Sequence, residues 1–425
     1  MNSAVFNRSR IALWGGCLAL AFALPLVLKS GFIISLLCQI GIMAVFSLSY
    51  NMLLGQTGLL SFGHAVYYGL GAFATMHLLN AIGKNGSPLV TAVLPFVGGL
   101  AGLAAGIVLG YVTTRKAGTT FAMITLGIGE MVAACSLMFP GIFGGEGGVS
   151  GNRVVGKETL LGFTWGPQVE MYGLIVLWAF ACTVAMFALT QTPLGRMANA
   201  VRDNPERAEF VGYDTERVRF LMVILSGFFA GVAGGLSALN YEIVTAETLN
   251  AHTSGVVLLI AFVGGIGFFY GPIIGAILVT VMQIVIGGMT HAWLLYFGLF
   301  FLFMVLVAPG GIASLIVVQR ALWQAGLLGR MLPHYAATAL PVLILLAGLV
   351  GLIELGYALL TGDAGVGAGD TATKVLGMQL QLGTPGPWLT ALAVTGIGIV
   401  LTRWIGGRLR SEWNATLATL HGDKA

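Results

Sequence analysis

The segment 194-LGRMANAVRDNPERAEFVGYDTERVRFLMVILSGFFAGVAGGL-236 carries ten charged residues in its first 27 positions and none in the sixteen that follow. Across all 425 residues there are only 20 basic and 16 acidic side chains, so charge is concentrated in this stretch and excluded from most of the rest. The charged fraction is 8% and the apolar fraction 57%, whereas a soluble domain carries about 25% charged residues. Too few charges remain to build a water-facing surface. Apolar runs near the ~20 residues that a helix needs to cross a bilayer recur along the chain. The class is an all-α polytopic membrane protein. A β-barrel would require strands alternating apolar and polar residues, a pattern that is missing.

Working outward from that segment gives twelve candidate spans, at about 11–28, 32–54, 62–80, 88–113, 119–139, 170–189, 220–240, 253–270, 272–289, 292–316, 335–359 and 388–406. The first follows Arg8 and Arg10 and lacks a small-residue cleavage pattern, so it reads as an uncleaved span. Gln56–Gly63 and Ile243–His252 read as breaks at membrane depth, tolerated only where protein or a cavity covers them. With the N-terminus in the cytoplasm, fifteen Lys and Arg fall inside and five outside (Lys29, Lys84, Arg153, Lys157 and Lys374). That bias places the charged segment and both termini in the cytoplasm. The 63 glycines, dense in 97-VGGLAGLAAGIVLG-110 and 231-GVAGGLSAL-239, provide small faces on which helices can approach closely in lipid. Gly271-Pro272 reads as a short turn between two spans.

Local signals divide the charged segment into helices. Thr192-Pro193 is a cap followed by proline at the first helical position, predicting a helix to about Asp203. Asn204-Pro205 repeats the signal, Glu206 suits the positive helix end, and Gly212 offers a left-handed stop. Ala208 and Val211 are expected on one face of this second helix. So short a helix needs a surface to lie on, in its own membrane domain or on a partner. A solvated loop that merely stays out of the bilayer is the alternative.

Several categories of chemistry are excluded. Cys17, Cys38, Cys135 and Cys182 each lie in an apolar run, which suggests no disulfide framework. The six histidines show no metal-ligand spacing, and nothing indicates a cofactor. The stretch 151-GNRVVGKE-158 matches the spacing of a phosphate loop, but Glu158 stands where a Ser or Thr hydroxyl would hold Mg²⁺. It also falls on the outer side, so it reads as coincidence. No basic, aromatic-interleaved surface for nucleic acid is present.

Four stretches carry a resemblance. They are 195–236 within the opening segment, 51-NMLLGQTGLLSFGHAVYYGLGAFA-74, 123-MITLGIGEMV-132 with 144-GGEGGVSG-151, and 254-SGVVLLIAFVGGIGFFYGPIIGAIL-278. Over about residues 30–318 the chain resembles the permeases of branched-chain amino-acid ABC importers, of the LivM type. The resemblance implies an ABC importer permease fold with about ten core spans, and two further C-terminal spans lie beyond it. It also implies a second homologous permease, two ATPase subunits and a periplasmic substrate-binding protein as partners, in the bacterial inner membrane. The loop 191–219 then becomes the segment that docks on the ATPase, with Arg196, Arg202, Asn204, Glu206, Ala208, Glu209 and Gly212 as its coupling residues. Ala208 is expected at the closest approach.

Candidates for the translocation path are Gln56, Ser61 and His64, at the Gly-interrupted segment, and Glu130, a carboxylate inside a span. Each has a plain alternative as a helix-to-helix polar contact, or for Glu130 a position near enough to the outer interface to be wet, and the helix contact holds for Glu354 too. Branched-chain or related hydrophobic amino acids are the expected cargo. Urea, short amides or aromatic acids remain open as cargo, as does an ion-driven transporter. The family core ends near 308-APGGIASL-315, so residues 319–425 form an extension with an amphipathic stretch at Gln319–Met331 and a Gly-rich outer loop at 361–387.

Overall fold

In the computed structural model, residues 8–83, 87–154, 164–290, 292–361, 372–375, 378–381 and 385–422 are described. The order of helices is α1 Arg8–Val27, α2 Gly31–Thr57, α3 Ala65–Ile82, α4 Pro88–Thr113, α5 Thr119–Met138, α6 Pro140–Phe143, α7 Gln168–Gln191 and α8 Pro193–Asp203. The order continues with α9 Pro205–Phe210, α10 Thr215–Tyr241, α11 Ala251–Gly264, α12 Gly271–Val281, α13 Trp293–Val307, α14 Gly311–Gln324, α15 Leu328–Thr361 and α16 Pro385–Gly422. Among the described residues, strands are confined to two small antiparallel pairs, β1 Val149–Ser150 with β2 Ile243–Val244, and β3 Ala372–Val375 with β4 Met378–Gln381. The expected all-α membrane class is what the chain adopts.

Seven helices among the described residues are long and apolar enough to cross a membrane, or eight if α13 and α14, bent by 47°, count as one broken span. Helix α1 covers the first of the twelve expected spans, and three others differ. The third starts only at Ala65. The eighth and ninth are the short helices Ala251–Gly264 and Gly271–Ile286. The reason lies at the junction. The chain leaves the helix at Gly265, in the positive-φ region at 113°, and turns through 265–270. Gly271-Pro272 therefore opens α12 instead of forming the turn, with proline at the start of the helix where its missing N–H costs nothing.

The chain forms two compact units, Met1–Ile286 with Phe300–Ser314, and Gly287–Leu299 with Leu315–Ala425. In the first, α10 is the central helix and packs against α2, α3 and α4. Its N-terminus is capped by Asp214, whose Oδ1 accepts from the Arg217 N–H at 3.0 Å, with Glu216 in the first turn. Contact with α4 is backbone on backbone. A Cβ at Gly231 would fall on the Gly98 carbonyl oxygen and lie 3.1 Å from the Gly102 Cα. Only glycine permits that approach, which is how dispersion forces replace hydrophobic burial between helices in lipid. Hydroxyls then tie the helices together: Ser226 donates to the Ser49 carbonyl at 2.7 Å and Ser47 to the Pro272 carbonyl at 3.1 Å.

In the second unit α15 and α16 form an antiparallel pair. Gly398 packs against Leu345 of α15 and Gly348 against Thr395 of α16. Glu354 accepts a hydrogen bond from the Tyr296 hydroxyl at 2.8 Å, the helix-to-helix contact that was its plain alternative. The amphipathic stretch at Gln319–Met331 is divided between α14 and α15 by Gly326, whose φ is 71°. Lys84, Lys157, Glu158 and Lys424 lie outside the described residues.

Candidate functional site

Three features of the first unit bear on function: the charged segment, the broken segment after α2, and the free face of α5.

The charged segment folds as its local signals require. Thr192 Oγ1 accepts from the Gly195 N–H at the start of α8. Along α8, Gly195, Ala198 and Val201 repeat at helical spacing and are buried, while Arg196 points to the open side. The Arg202 guanidinium donates to the carbonyl of Gly55 in the last turn of α2, and its Nη2 pairs with Asp203 at 2.8 Å. A cation at a helix C-terminus satisfies a carbonyl left over from the ladder and complements the dipole. The segment is thereby tied to the same end of α2 at which the helix breaks.

Helix α9 is closed at both ends. Asn204 Oδ1 accepts from the Arg207 N–H at 2.9 Å. At the other end Gly212 adopts φ 94°, its N–H donates to the Glu209 carbonyl at 2.8 Å, and the Tyr213 N–H donates to that of Ala208 at 3.0 Å. Glu209 Oε1 accepts from the Thr215 hydroxyl at 2.7 Å, tying α9 to the first turn of α10. Glu206 is exposed in the first turn.

Ala208, expected at the closest approach to the ATPase, is only 5% exposed and belongs to the core of its own chain. Val211 does not share its face. The residues presented outward are Phe210, 91% exposed, and Val211, 71% exposed. Sequence reasoning passed over Phe210 because a helical pattern read over six residues cannot say which apolar side faces home.

The broken segment spans 58–64 between α2 and α3. Side chains from three helices satisfy its backbone groups and the first N–H of α3. Tyr50 donates to the Ser61 carbonyl at 3.0 Å, Thr125 Oγ1 accepts from the Phe62 N–H at 3.2 Å, and Ser254 Oγ accepts from the Ala65 N–H at 2.9 Å. Irregular backbone survives at membrane depth only under such cover. His64 is fully buried, with Nε2 3.0 Å from Ser49 Oγ and its ring enclosed by Phe46, Tyr50 and Tyr67. Gln56 and Ser61 are buried as well. His64 Nδ1 and Gln56 Oε1 have no hydrogen-bond partner among the described residues. These three path candidates lie together, inside the packed wall.

Glu130 is set apart. Phe121, Ala122, Thr125, Gly129 and Ser136 turn one face of α5 into the protein, with Gly129 packed against Gly63. On the opposite face Met123, Gly127, Glu130, Ala134 and Met138, spaced four or three apart, are all exposed. Glu130 lies eleven residues into the twenty of α5, about 17 Å along a helix just long enough to cross the hydrocarbon. It makes no hydrogen bond or ion pair among the described residues. A carboxylate facing lipid at that depth costs about 3 kcal/mol or more, and the face therefore requires water or another protein.

At the far end of α10, Arg153 is a residue that sequence reasoning missed. Nε donates to the Trp165 carbonyl at 2.7 Å, Nη1 to those of Leu239 and Asn240 at 3.3 and 3.1 Å, and Nη2 to that of Gly166 at 2.8 Å and to Gln168 Oε1 at 3.2 Å. Its own N–H donates to Glu242 Oε1 at 2.8 Å. The guanidinium caps the C-terminus of α10 and pins the segment after β1. Its signal in sequence was a lone Arg in a loop otherwise rich in small residues, masked by the accidental phosphate-loop spacing. Among the described residues no group of three or more His, Cys, Asp or Glu could hold a metal ion.

Comparison with known proteins accords with this architecture. Residues 32–309 match the family model described as branched-chain amino acid transport system / permease component. The chain is 30% identical over 319 residues to the high-affinity branched-chain amino acid transport system permease protein LivM of Escherichia coli (strain K12), covering 69% of this chain and 73% of that one. It is 28% identical to the LivM of Salmonella typhimurium over the same shares. It is 26% identical over 208 residues to the fructose import permease protein FrcC of Rhizobium meliloti, covering 45% of this chain and 55% of that one. No solved structure matches the chain significantly.

Proposed function

The chain belongs to the family of branched-chain amino-acid transport system permease components, and from that premise we propose that it is the membrane-spanning permease subunit of an ATP-driven ABC importer. It carries branched-chain or related hydrophobic amino acids from a periplasmic binding protein to the cytoplasm. Its partners are a second homologous permease, two ATPase subunits and that binding protein. It sits in the bacterial inner membrane with both termini and the segment 191–219 in the cytoplasm. Residues 1–318 are the transport core and 319–425 an accessory extension.

The observation that carries this reading is the build of α8 and α9. A six-residue helix is capped at both ends by Asn204 and Gly212, held through Glu209 to α10, and ends in the exposed Phe210 with exposed Val211 next. A solvated loop needs no such ordering, whereas a rigid apolar knob on a polar loop suits a groove on another protein. Arg202 links the knob to α2 at the point where that helix gives way to the broken segment. Closure of the ATPase pair would pull on α8 and α9, and through Arg202 on the end of α2, so that the spans open alternately to either side. Nothing covalent happens to the cargo, and no group of this chain hydrolyses ATP.

The test is reconstitution with the second permease, ATPase and binding protein, followed by uptake of radiolabelled leucine. The expected result is uptake that requires ATP on the ATPase side and the binding protein on the other. Uptake driven by an ion gradient without the ATPase would overturn the reading in favour of a secondary transporter. The similarity to a fructose permease supports testing fructose beside leucine, and short amides and aromatic acids belong in the same panel.

A further inference from the structure

Among the described residues, Glu130 and Glu354 are carboxylates inside apolar helices, and they differ. Glu354 is satisfied by Tyr296. Glu130 has no partner and stands on the exposed face of α5. Its surroundings on that face are Met123 and Met131, 69% and 55% exposed, with Gly127 and Ala134 one turn to either side. A Cβ added at Gly127 would meet nothing within 4 Å, so the surface beside the carboxylate is open. The other face of the helix is packed on the broken segment through Gly129 and Thr125, which fixes its rotation.

A single anion in a wall of small and thioether side chains is a specific chemical environment. It is no place for a lipid chain, because a carboxylate in hydrocarbon is strongly unfavourable. From Met123 to Met138 the exposed face of α5 carries no second polar side chain, whereas a sugar would require an array of donors and acceptors. It complements a molecule with one cationic group beside an apolar body. Methionine surfaces adapt to branched aliphatic shapes, since the side chain is unbranched and polarizable. An aliphatic amino acid has this composition, with an α-ammonium close to its apolar side chain.

From this juxtaposition we infer that Glu130 receives the α-ammonium group of the transported amino acid on a water-lined face of α5, with Met123 and Met131 against the side chain. The inference rests on the importer reading, and it assigns to one residue the selection of a zwitterion over a neutral amide. The contact is made in passage and is released by the same alternation that opens the path.

The experiment uses the complete reconstituted assembly with radiolabelled leucine. In Glu130→Gln, uptake should fall at least tenfold while the subunits still co-purify. In Glu130→Cys, on a background without the native cysteines, a membrane-impermeant thiosulfonate should label the thiol. Uptake should then depend on the sign of the label. An anionic sulfonate label should restore at least a third of wild-type uptake, and a cationic trimethylammonium label should leave none. A purely structural Glu130 would not respond to sign. Wild-type import together with an unlabelled cysteine, with undiminished Glu130→Gln uptake, or with equal effects of both labels would overturn the assignment of Glu130 alone. Failure of the wild-type assembly to import leucine would overturn the importer reading, and the ammonium assignment with it.

Discussion

Replacing Phe210 by Ala tests the role of the charged segment most directly. In the isolated chain the Phe210 side chain is 91% exposed, so nearly all of its apolar surface is available for burial against a partner. Full burial of a phenylalanine is worth about 1.5–3 kcal/mol, and a loss near 2 kcal/mol weakens binding roughly thirtyfold. The free chain loses nothing by the change, because Phe210 packs against little of it. The caps at Asn204 and Gly212 are untouched, so the helix keeps its shape. Titration of the purified ATPase subunit against the permease in lipid nanodiscs should show that weakening, with leucine uptake falling in parallel. Arg217→Ala is the control. Its side chain is 85% exposed and pairs only with Asp214 three residues away, so the change should move affinity by less than about 0.5 kcal/mol. Ala208→Arg would also abolish docking but for another reason: a side chain 5% exposed has no room for a guanidinium, and the segment itself should become protease-sensitive. ATPase affinity within twofold of wild type in Phe210→Ala would refute the reasoning, leaving the concentration of charge explained by topology alone.

Further outcomes are expected elsewhere. Gly231→Val should lower the melting temperature of the detergent-solubilised protein sharply, because its new atoms meet the backbone of Gly98 and Gly102 and overpacking there costs about 3 kcal/mol; Gly127→Ala, with open space, should not. Arg153→Met should leave the Leu239, Asn240, Trp165 and Gly166 carbonyls unpaired, at about 1–3 kcal/mol for each that stays buried; faster hydrogen exchange at 149–154 and 242–250 is the readout. For topology, a cysteine at Arg217 should be labelled only by reagent that reaches the cytoplasm, and one at Glu247 by reagent outside; the reverse pattern would invert the orientation.

Composition and local signals determined the membrane class, most long helices and the ends of α8 and α9. Those are properties of short windows. A helix cap such as Thr192 or Asn204 acts within three residues, and an apolar run of 20 can satisfy its backbone by itself in lipid. The breaks at Gln56–Gly63 and Ile243–His252 were legible for the same reason, since glycine and polar residues interrupt the run. What needed the tertiary structure was everything set by a neighbour from elsewhere in the chain. Ala208 and Phe210 are both apolar residues of one short helix, and only the packing of α8 and α10 decides that the first is buried and the second presented. His64 and Glu130 are both ionisable residues in apolar surroundings. The rings of Phe46, Tyr50 and Tyr67 enclose one of them, and the packing of the opposite face of α5 leaves the other exposed. Arg153 became visible only when its carbonyl partners, up to 87 residues away in sequence, converged on it. Helix caps and hydropathy are local and additive along the chain, whereas the direction a side chain faces depends on contacts that only the folded chain brings together.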